Sequence, residues 1–409
     1  MSVSIVTFGC RLNAHESDAM LHYAREGNDQ DTGSKQKTII VNTCTVTAEA
    51  ERQARQAIRK AHRENPGARI IVTGCASERE PEKWAALDGV DHLVPNGEKL
   101  SPASWGVSPK ANLPPPPSRH TRALLQVQQG CDHRCTFCVI PYGRGASKSL
   151  PLFDIISRAR TLTEAGHEEI VLTGVDIASW QEGSYGLGSL CKALLKHVPA
   201  IKRLRLSSLD PVLLDARNGD RDFWDLLTDE QRLMPHLHLS LQAGSDLILK
   251  RMKRRHLTKD VSQSLEAIRK LRPDIGIGAD LIAGFPTETD ELFEETYHFI
   301  EENALPFLHV FPYSERPGTP AARMPSLPKI VRQERAARLR NLGERIHAAF
   351  LSRFIGQEKD VLLETQTSGH TPEFAVVTLV NSPPITTGKT YRMRLLGIED
   401  RKINAEIAA

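Results

Sequence analysis

Cys131, Cys135 and Cys138 stand close together in the run Gln128-Gln-Gly-Cys-Asp-His-Arg-Cys-Thr-Phe-Cys-Val-Ile-Pro-Tyr-Gly-Arg-Gly145. Three thiolates at C-x3-C-x2-C spacing can hold three irons of a cubane 4Fe-4S cluster and leave the fourth iron without a protein ligand. An open iron is a place for chemistry. The competing reading is a zinc site, which ordinarily uses paired C-x2-C knuckles and a fourth Cys or His. His133 lies between the first two cysteines, too close along the chain to complete the same metal comfortably.

Three further cysteines are scattered through the first part of the chain, each ending a strand-like run: Thr7-Phe-Gly-Cys10, Asn42-Thr-Cys44 and Thr73-Gly-Cys75. In open α/β sheets the carboxyl ends of the strands form the ligand crevice, so thiols distant in sequence can converge there. Three such ligands suit a second 4Fe-4S cluster with one open iron. The alternative is three unrelated cysteines buried near strand ends, where cysteine is common. Cys191 falls on the apolar stripe of Leu187, Leu190, Leu194 and Val198 and reads as a core residue.

The elements that must position these groups come from a chain of 409 residues, long enough for two or three domains. Its 40% hydrophobic and 25% charged residues are those of an ordinary globular protein. The formal charge is only +3, so any nucleic-acid binding must come from local patches. No apolar run approaches a membrane span and no basic region precedes the first strand-like run, which points to a cytoplasmic protein without a membrane partner. Seven cysteines, six of them grouped as ligand sets, argue against a disulfide framework.

Short β-branched runs alternate with helical patterns in the first segment: Val3 to Phe8 then Ala14 to Arg25, Thr38 to Val41 then Ala48 to Asn65, Arg69 to Thr73 then Pro81 to Leu87. This rhythm predicts βαβ units and a parallel sheet covered on both faces. The polar insertion Gly27 to Lys37 reads as a mobile surface loop, and Asn13, just before a helical pattern, as an N-cap. Leu113-Pro-Pro-Pro-Pro-Ser118 favours extended polyproline II and marks a boundary. Strand-like runs then recur at Ala123 to Gln128, Glu169 to Thr173, Arg203 to Ser207, His236 to Leu241, Ile275 to Ile282 and Phe307 to Phe311. Six strands with crossover helices predict a partial (β/α)6 TIM-like barrel, open at one side, with function at the carboxyl ends of its strands.

Polar motifs fall at those ends, and Phe137, Gly174, Asp176, Ser208, Gln242 and Asp280 are the candidates to contact cofactor or substrate. His236 and His238 alternate with leucines and read as interior hydrogen bonders or as catalytic groups, and Glu288 as a helix first-turn residue. Lys250, Arg251, Lys253, Arg254 and Arg255 form the densest positive run and, with Arg144, are the candidates for RNA phosphates; a solvated face is the plainer reading. A long amphipathic helix is expected from Lys329 to Phe354. After it, short β-like runs at Asp360 to Leu363, Phe374 to Leu379, Thr390 to Leu396 and Ile403 to Ile407 suggest a small barrel. The expected domains are residues 1–111, a linker at 112–118, then 119–355 and 356–409.

Thr7-x-Gly-Cys10-x-x-Asn13, Asn42-Thr-Cys44-x-Val46 and Thr73-Gly-Cys75, followed by the C-x3-C-x2-C loop and Ile140-Pro-x-x-Arg-Gly145, resemble the methylthiotransferase family of radical S-adenosylmethionine enzymes over essentially the whole chain. The resemblance implies a flavodoxin-like N-terminal domain, a radical S-adenosylmethionine barrel and a small RNA-binding barrel of the TRAM type. It also implies two 4Fe-4S clusters. One, on Cys131, Cys135 and Cys138, would bind S-adenosylmethionine and split it to a 5′-deoxyadenosyl radical; the other, on Cys10, Cys44 and Cys75, would serve the sulfur side. Inserting sulfur at an unactivated C–H bond is beyond any side-chain base, so the cofactor must supply the hard step.

His238-Leu-Ser-Leu-Gln242, Met252-Lys-Arg-Arg-His256 and Phe311-Pro-Tyr-Ser-x-Arg-Pro-Gly-Thr-Pro-Ala321 look most like the branch that modifies N6-threonylcarbamoyladenosine beside the tRNA anticodon, at carbon 2 of the base. The implied partners are the tRNA anticodon stem-loop and an electron donor such as flavodoxin or ferredoxin. Other readings are an isopentenyladenosine methylthiotransferase, a ribosomal-protein aspartate methylthiotransferase, and a cluster-carrying RNA-binding protein without radical chemistry.

Overall fold

The structure is a computed structural model that describes residues 2–30, 36–108, 116–215, 219–380 and 384–408. Its first unit is a parallel sheet of four strands, Val3–Thr7, Thr38–Thr43, Arg69–Gly74 and His92–Leu93, lying side by side in chain order. Side chains alternate across a strand, so β-branched runs feed both faces. Ile40 and Ile71 pack against Met20, Leu21 and Ala24 of helix Arg11–Gln30. Ile39, Val41, Ile70 and Val72 pack against Ala54 and Ile58 of helix Ala48–Glu64 on the other face.

The expected loop at Gly27 to Lys37 gives way to helix as far as Gln30. A Cβ at Gly27 would fall 1.9 Å from the Trp105 carbonyl oxygen, so this glycine serves a close approach of helix to backbone and not a chain break. Residues 31–35 of that insertion, and Leu113 to Pro115 of the proline run, lie outside the described residues.

The second unit carries six parallel strands, Arg122–Gln126, Glu169–Thr173, Arg203–Leu206, His236–Gln242, Gly276–Ala283 and Phe307–Pro312. Pairing passes along the barrel with one handover at Ser207: Arg203–Leu206 pairs with the second strand, and Ser208–Leu209 with the fourth. No ladder joins the first strand to the last among the described residues, so the barrel is open there. Crossover helices bury Ile155, Leu190, Leu226, Leu265 and Ile300 around it, with Cys191 fully buried among them. Helix Lys329–Ser352 packs across the last strands. Arg335 anchors it to Glu288 at 2.7 Å and to Asp290 at 2.6 Å. Glu288 is therefore a buried ion-pair partner and not a first-turn residue; Thr289 caps the helix Asp290–Glu302.

The third unit is a closed barrel of five strands, Glu358–Leu363, Ser368–His370, Val376–Leu379, Thr390–Glu399 and Lys402–Ile407. Ser368–His370 has no apolar alternation and leaves no trace in the hydrophobic pattern. Phe374 projects from this barrel into the floor of the six-stranded one, between His236 at 4.5 Å and His370 at 4.6 Å. Among the described residues no helix is long and apolar enough to cross a membrane.

Candidate active site

The loop carrying Cys131, Cys135 and Cys138 leaves the first barrel strand and is closed by a short antiparallel pair, Gln128–Gln129 with Lys148–Ser149. Gln128, fully buried, ties this loop to its neighbours. Its amide nitrogen donates to the carbonyls of Gln129 and Gly130 at 2.9 and 2.8 Å, and its oxygen accepts from the backbone of Val175 and Asp176 at 3.1 and 2.9 Å. The loop is also tied to the segment after the fourth strand, where Thr136 donates through its backbone to Met252 and through its hydroxyl to Arg251. Arg254, whose side chain is nearly buried, donates toward the Cys135 sulfur at 3.5 Å and to Ser240 and Asp210. Burial pushes the Cys138 thiol up to about 12 and the Cys131 thiol up to about 11.

The other three cysteines meet at the carboxyl edge of the first sheet. A Cβ at Gly9 would sit 2.6 Å from the Cys44 sulfur, and burial, with Cys10 and Cys75 nearby, pushes the Cys44 thiol up to about 12. The Cys44 sulfur accepts from the Val46 backbone at 3.5 Å. Asn13 is not an N-cap. It lies inside helix Arg11–Gln30, buried, and donates to the carbonyls of Phe8 and Thr43, holding two of the cysteine-bearing strand ends together.

These two cysteine sets are neighbours. The short helix Ile140–Arg144, which follows Cys138, presses on Cys75: a Cβ at Gly143 would fall 2.9 Å from the Cys75 carbonyl oxygen. Arg144 then reaches Asn13 at 2.5 Å and Glu16 at 2.8 Å, and Lys99 pairs with the same Glu16 at 2.6 Å. Burial alone would raise the Glu16 carboxyl, but Lys99 and Arg144 bring it down to about 2. Arg144 is thus committed inside the protein, away from any RNA phosphate. On the other flank Arg316 reaches Thr45 and Glu51, and Arg79 donates to the Pro317 carbonyl. The first sheet is held against both sides of the barrel opening.

Inside the barrel, Asp280 accepts from His238 at 3.0 Å, from His309 at 3.2 Å and from Ser208 at 3.4 Å. Burial would raise its carboxyl, yet the two histidines hold it well below the usual range. Gln242 adopts φ +77 where the strand's register shifts. Asp176 lies beside the cluster loop, 2.8 Å from His133, and Gly174 packs against Gln128. Phe137 leans on the apolar group of Ala243, Leu249 and Phe285. His236 departs from the expected hydrogen bonder: both ring nitrogens are buried without a partner, and aromatic contacts to Phe307 and Phe374 replace them.

Comparison with known proteins adds the family. Residues 125–300 match the Radical SAM superfamily and residues 2–95 match the Uncharacterized protein family UPF0004. The chain is 42% identical to the Threonylcarbamoyladenosine tRNA methylthiotransferase MtaB of Rickettsia prowazekii, over 97% of this chain and 95% of that one. It belongs to the MtaB family of radical S-adenosylmethionine methylthiotransferases. The Bacillus subtilis MtaB is 34% identical over 89% of this chain and 85% of its own. Among solved structures, the radical S-adenosylmethionine methyltransferase TsrM of Kitasatospora setae shares the fold at TM-score 0.54 and 14% identity, covering 79% of this chain and 77% of that one.

The cofactors of this methylthiotransferase are S-adenosylmethionine and 4Fe-4S clusters, and its residues fit them. Each site gathers three cysteines, with N–H groups aimed at a sulfur in both, at Val46 and at Arg254. Buried thiols raised to between about 11 and about 12 stay neutral until a cationic group draws off their protons. Of the positive run, Arg254 is tied to Asp210, Arg255 pairs with the same carboxylate at 3.3 Å and Arg251 donates to the Thr287 carbonyl, while Lys250 and Lys253 remain exposed. His256 is buried on the Leu241 carbonyl, and burial brings it down to about 4. Sequence reasoning missed Gln128, Glu16 and Lys99 in this methylthiotransferase. A buried role for Glu16 had one visible signal, its place one helical turn beyond Asn13.

Proposed function

We propose that this methylthiotransferase replaces the hydrogen on carbon 2 of N6-threonylcarbamoyladenosine, beside the tRNA anticodon, with a methylthio group. The observation that carries this reading is the contact of Gly143 with Cys75, which brings two three-cysteine sets to one opening. Likeness to the MtaB proteins supports the choice of nucleoside. Cys131, Cys135 and Cys138 would hold the cluster that binds S-adenosylmethionine, and Cys10, Cys44 and Cys75 the second cluster. When bound, these cofactors supply the one-electron chemistry that breaks the C–H bond and the sulfur and methyl group that replace hydrogen.

The protein's own part is placement. Gln128 and Thr136 fix the loop, Arg144 and Asn13 fix the distance between the cysteine sets, and Phe137, Gly174, Asp176, Ser208, Gln242 and Asp280 line the cofactor and substrate side. Lys250 and Lys253 are the exposed cations of this run available to phosphates of the anticodon stem-loop, since Arg255 is paired with Asp210. The reducing electron comes from a donor such as flavodoxin or ferredoxin, in the cytoplasm.

Mass spectrometry of tRNA nucleosides from cells lacking the protein tests this. The methylthio mark should vanish from threonylcarbamoyladenosine and persist on isopentenyladenosine. Loss from isopentenyladenosine alone would assign the other tRNA branch.

A further inference from the structure

Three guanidinium groups surround the Phe374 ring at the barrel floor: Arg205 at 4.9 Å, Arg122 at 5.0 Å and Arg11 at 5.9 Å from its centroid. Two of them have carboxylates. Arg205 pairs with Glu169 at 2.7 Å and Arg122 with Glu364 at 2.9 Å. Arg11 makes no hydrogen bond or ion pair among the described residues, and it is only partly buried. Its neighbours Arg122 and Arg205 share the same ring, so three cations are crowded there with only two carboxylate partners between them.

The anions that act on Arg11 are already engaged. Glu169 is held by Arg203 and Arg205, and Asp280 by His238 and His309. A partly buried cation without a counter-ion is costly unless a ligand brings one. The position of this cation matters too. Arg11 directly follows Cys10, and its guanidinium lies 5.9 Å from the Phe374 ring, so its side chain runs from the first cysteine set to the barrel floor.

We propose that Arg11 binds the free carboxylate on the N6 arm of the substrate nucleoside, and so selects a carboxylate-bearing adenosine over neutral N6-substituted ones. This rests on the substrate reading above. An enzyme that modifies a base carbon must take the base out of its stack and into the site. The N6 arm, N1 and carbon 2 share one edge of the adenine ring, so a carboxylate on that arm arrives next to the reacting carbon. Arg11 follows Cys10, one of the three cysteines that would hold the second cluster, so its guanidinium is within one side-chain length of that set. Guanidinium is suited to bidentate recognition of carboxylate.

The test uses the full chain with both clusters reconstituted and two anticodon stem-loop RNAs, one with threonylcarbamoyladenosine and one with its carboxylate methyl ester. The readouts are kcat/KM for methylthio product on each RNA and formation of 5′-deoxyadenosine. Arg11→Met should lower the acid-to-ester ratio of kcat/KM roughly 10- to 100-fold, the worth of a charge-assisted hydrogen bond, while S-adenosylmethionine cleavage continues. Arg11→Lys, which keeps the charge, should recover much of the ratio. An unchanged ratio in Arg11→Met, or equal loss on both RNAs, would overturn the inference. Loss of 5′-deoxyadenosine in Arg11→Met would also overturn it, because Arg11 would then serve the S-adenosylmethionine carboxylate. If the unaltered protein makes no product from the acid RNA, the substrate reading has failed before any variant is compared.

Discussion

Replacing Cys131, Cys135 and Cys138 together with alanine abolishes both 5′-deoxyadenosine formation and methylthiolated nucleoside, and iron content falls by about half. The loss is total because too few ligands remain: His133 and Asp176 stay beside the site, but two groups are one short of the three that hold a cubane with an open iron, and Arg254 beside Cys135 is a cation. The chain still folds. Gln128, the pairing with Lys148–Ser149 and the Thr136 bonds close the loop without any thiol. Product analysis by chromatography, an iron assay and circular dichroism read the three quantities. Persistent 5′-deoxyadenosine would place the S-adenosylmethionine cluster elsewhere.

The second large effect lies at Arg144, the cation that joins the two cysteine sets. Its side chain is 3% exposed and Glu16 only 1%, so Arg144→Met leaves a buried carboxylate with Lys99 alone. Breaking a buried pair costs about 3–5 kcal/mol, because the surviving charge keeps its desolvation penalty. Denaturant unfolding should show that loss. The double variant Arg144→Met with Glu16→Gln should be less destabilised than the sum of the single changes. Functionally, Arg144→Met should depress methylthio product far more than 5′-deoxyadenosine, since the barrel keeps its own loop while the distance to Cys75 is no longer fixed. Equal losses of the two products would mean that Arg144 supports the loop and not the junction.

Much of this architecture was legible in spacing. Cys10, Cys44 and Cys75 each follow a β-branched run, and strand carboxyl ends in a parallel sheet share one edge, so their convergence follows from pattern alone. The alternation His236-Leu-His-Leu-Ser-Leu-Gln242 likewise revealed a strand with a polar inner face. Other features depend on contacts between distant segments, which no local period encodes. Arg144 looked like an RNA cation because its partner Glu16 lies far away in the chain. Arg254 sits in a basic run with Lys250 and Lys253, yet the chain turns it inward to Cys135 and Asp210. Gly27 carries the signature of a turn, and only the Trp105 carbonyl beside it shows that it permits a close approach. Phe374 is an aromatic in a small barrel until the floor of the larger one closes around it.

The division of labour between the two cysteine sets is tested most directly by replacing Cys10, Cys44 and Cys75 together with alanine. The variant and the unaltered protein are then assayed side by side for 5′-deoxyadenosine and for methylthiolated nucleoside under reducing, anaerobic conditions. Reductive cleavage of S-adenosylmethionine should continue while no methylthio product forms. Unimpaired product formation would contradict the account.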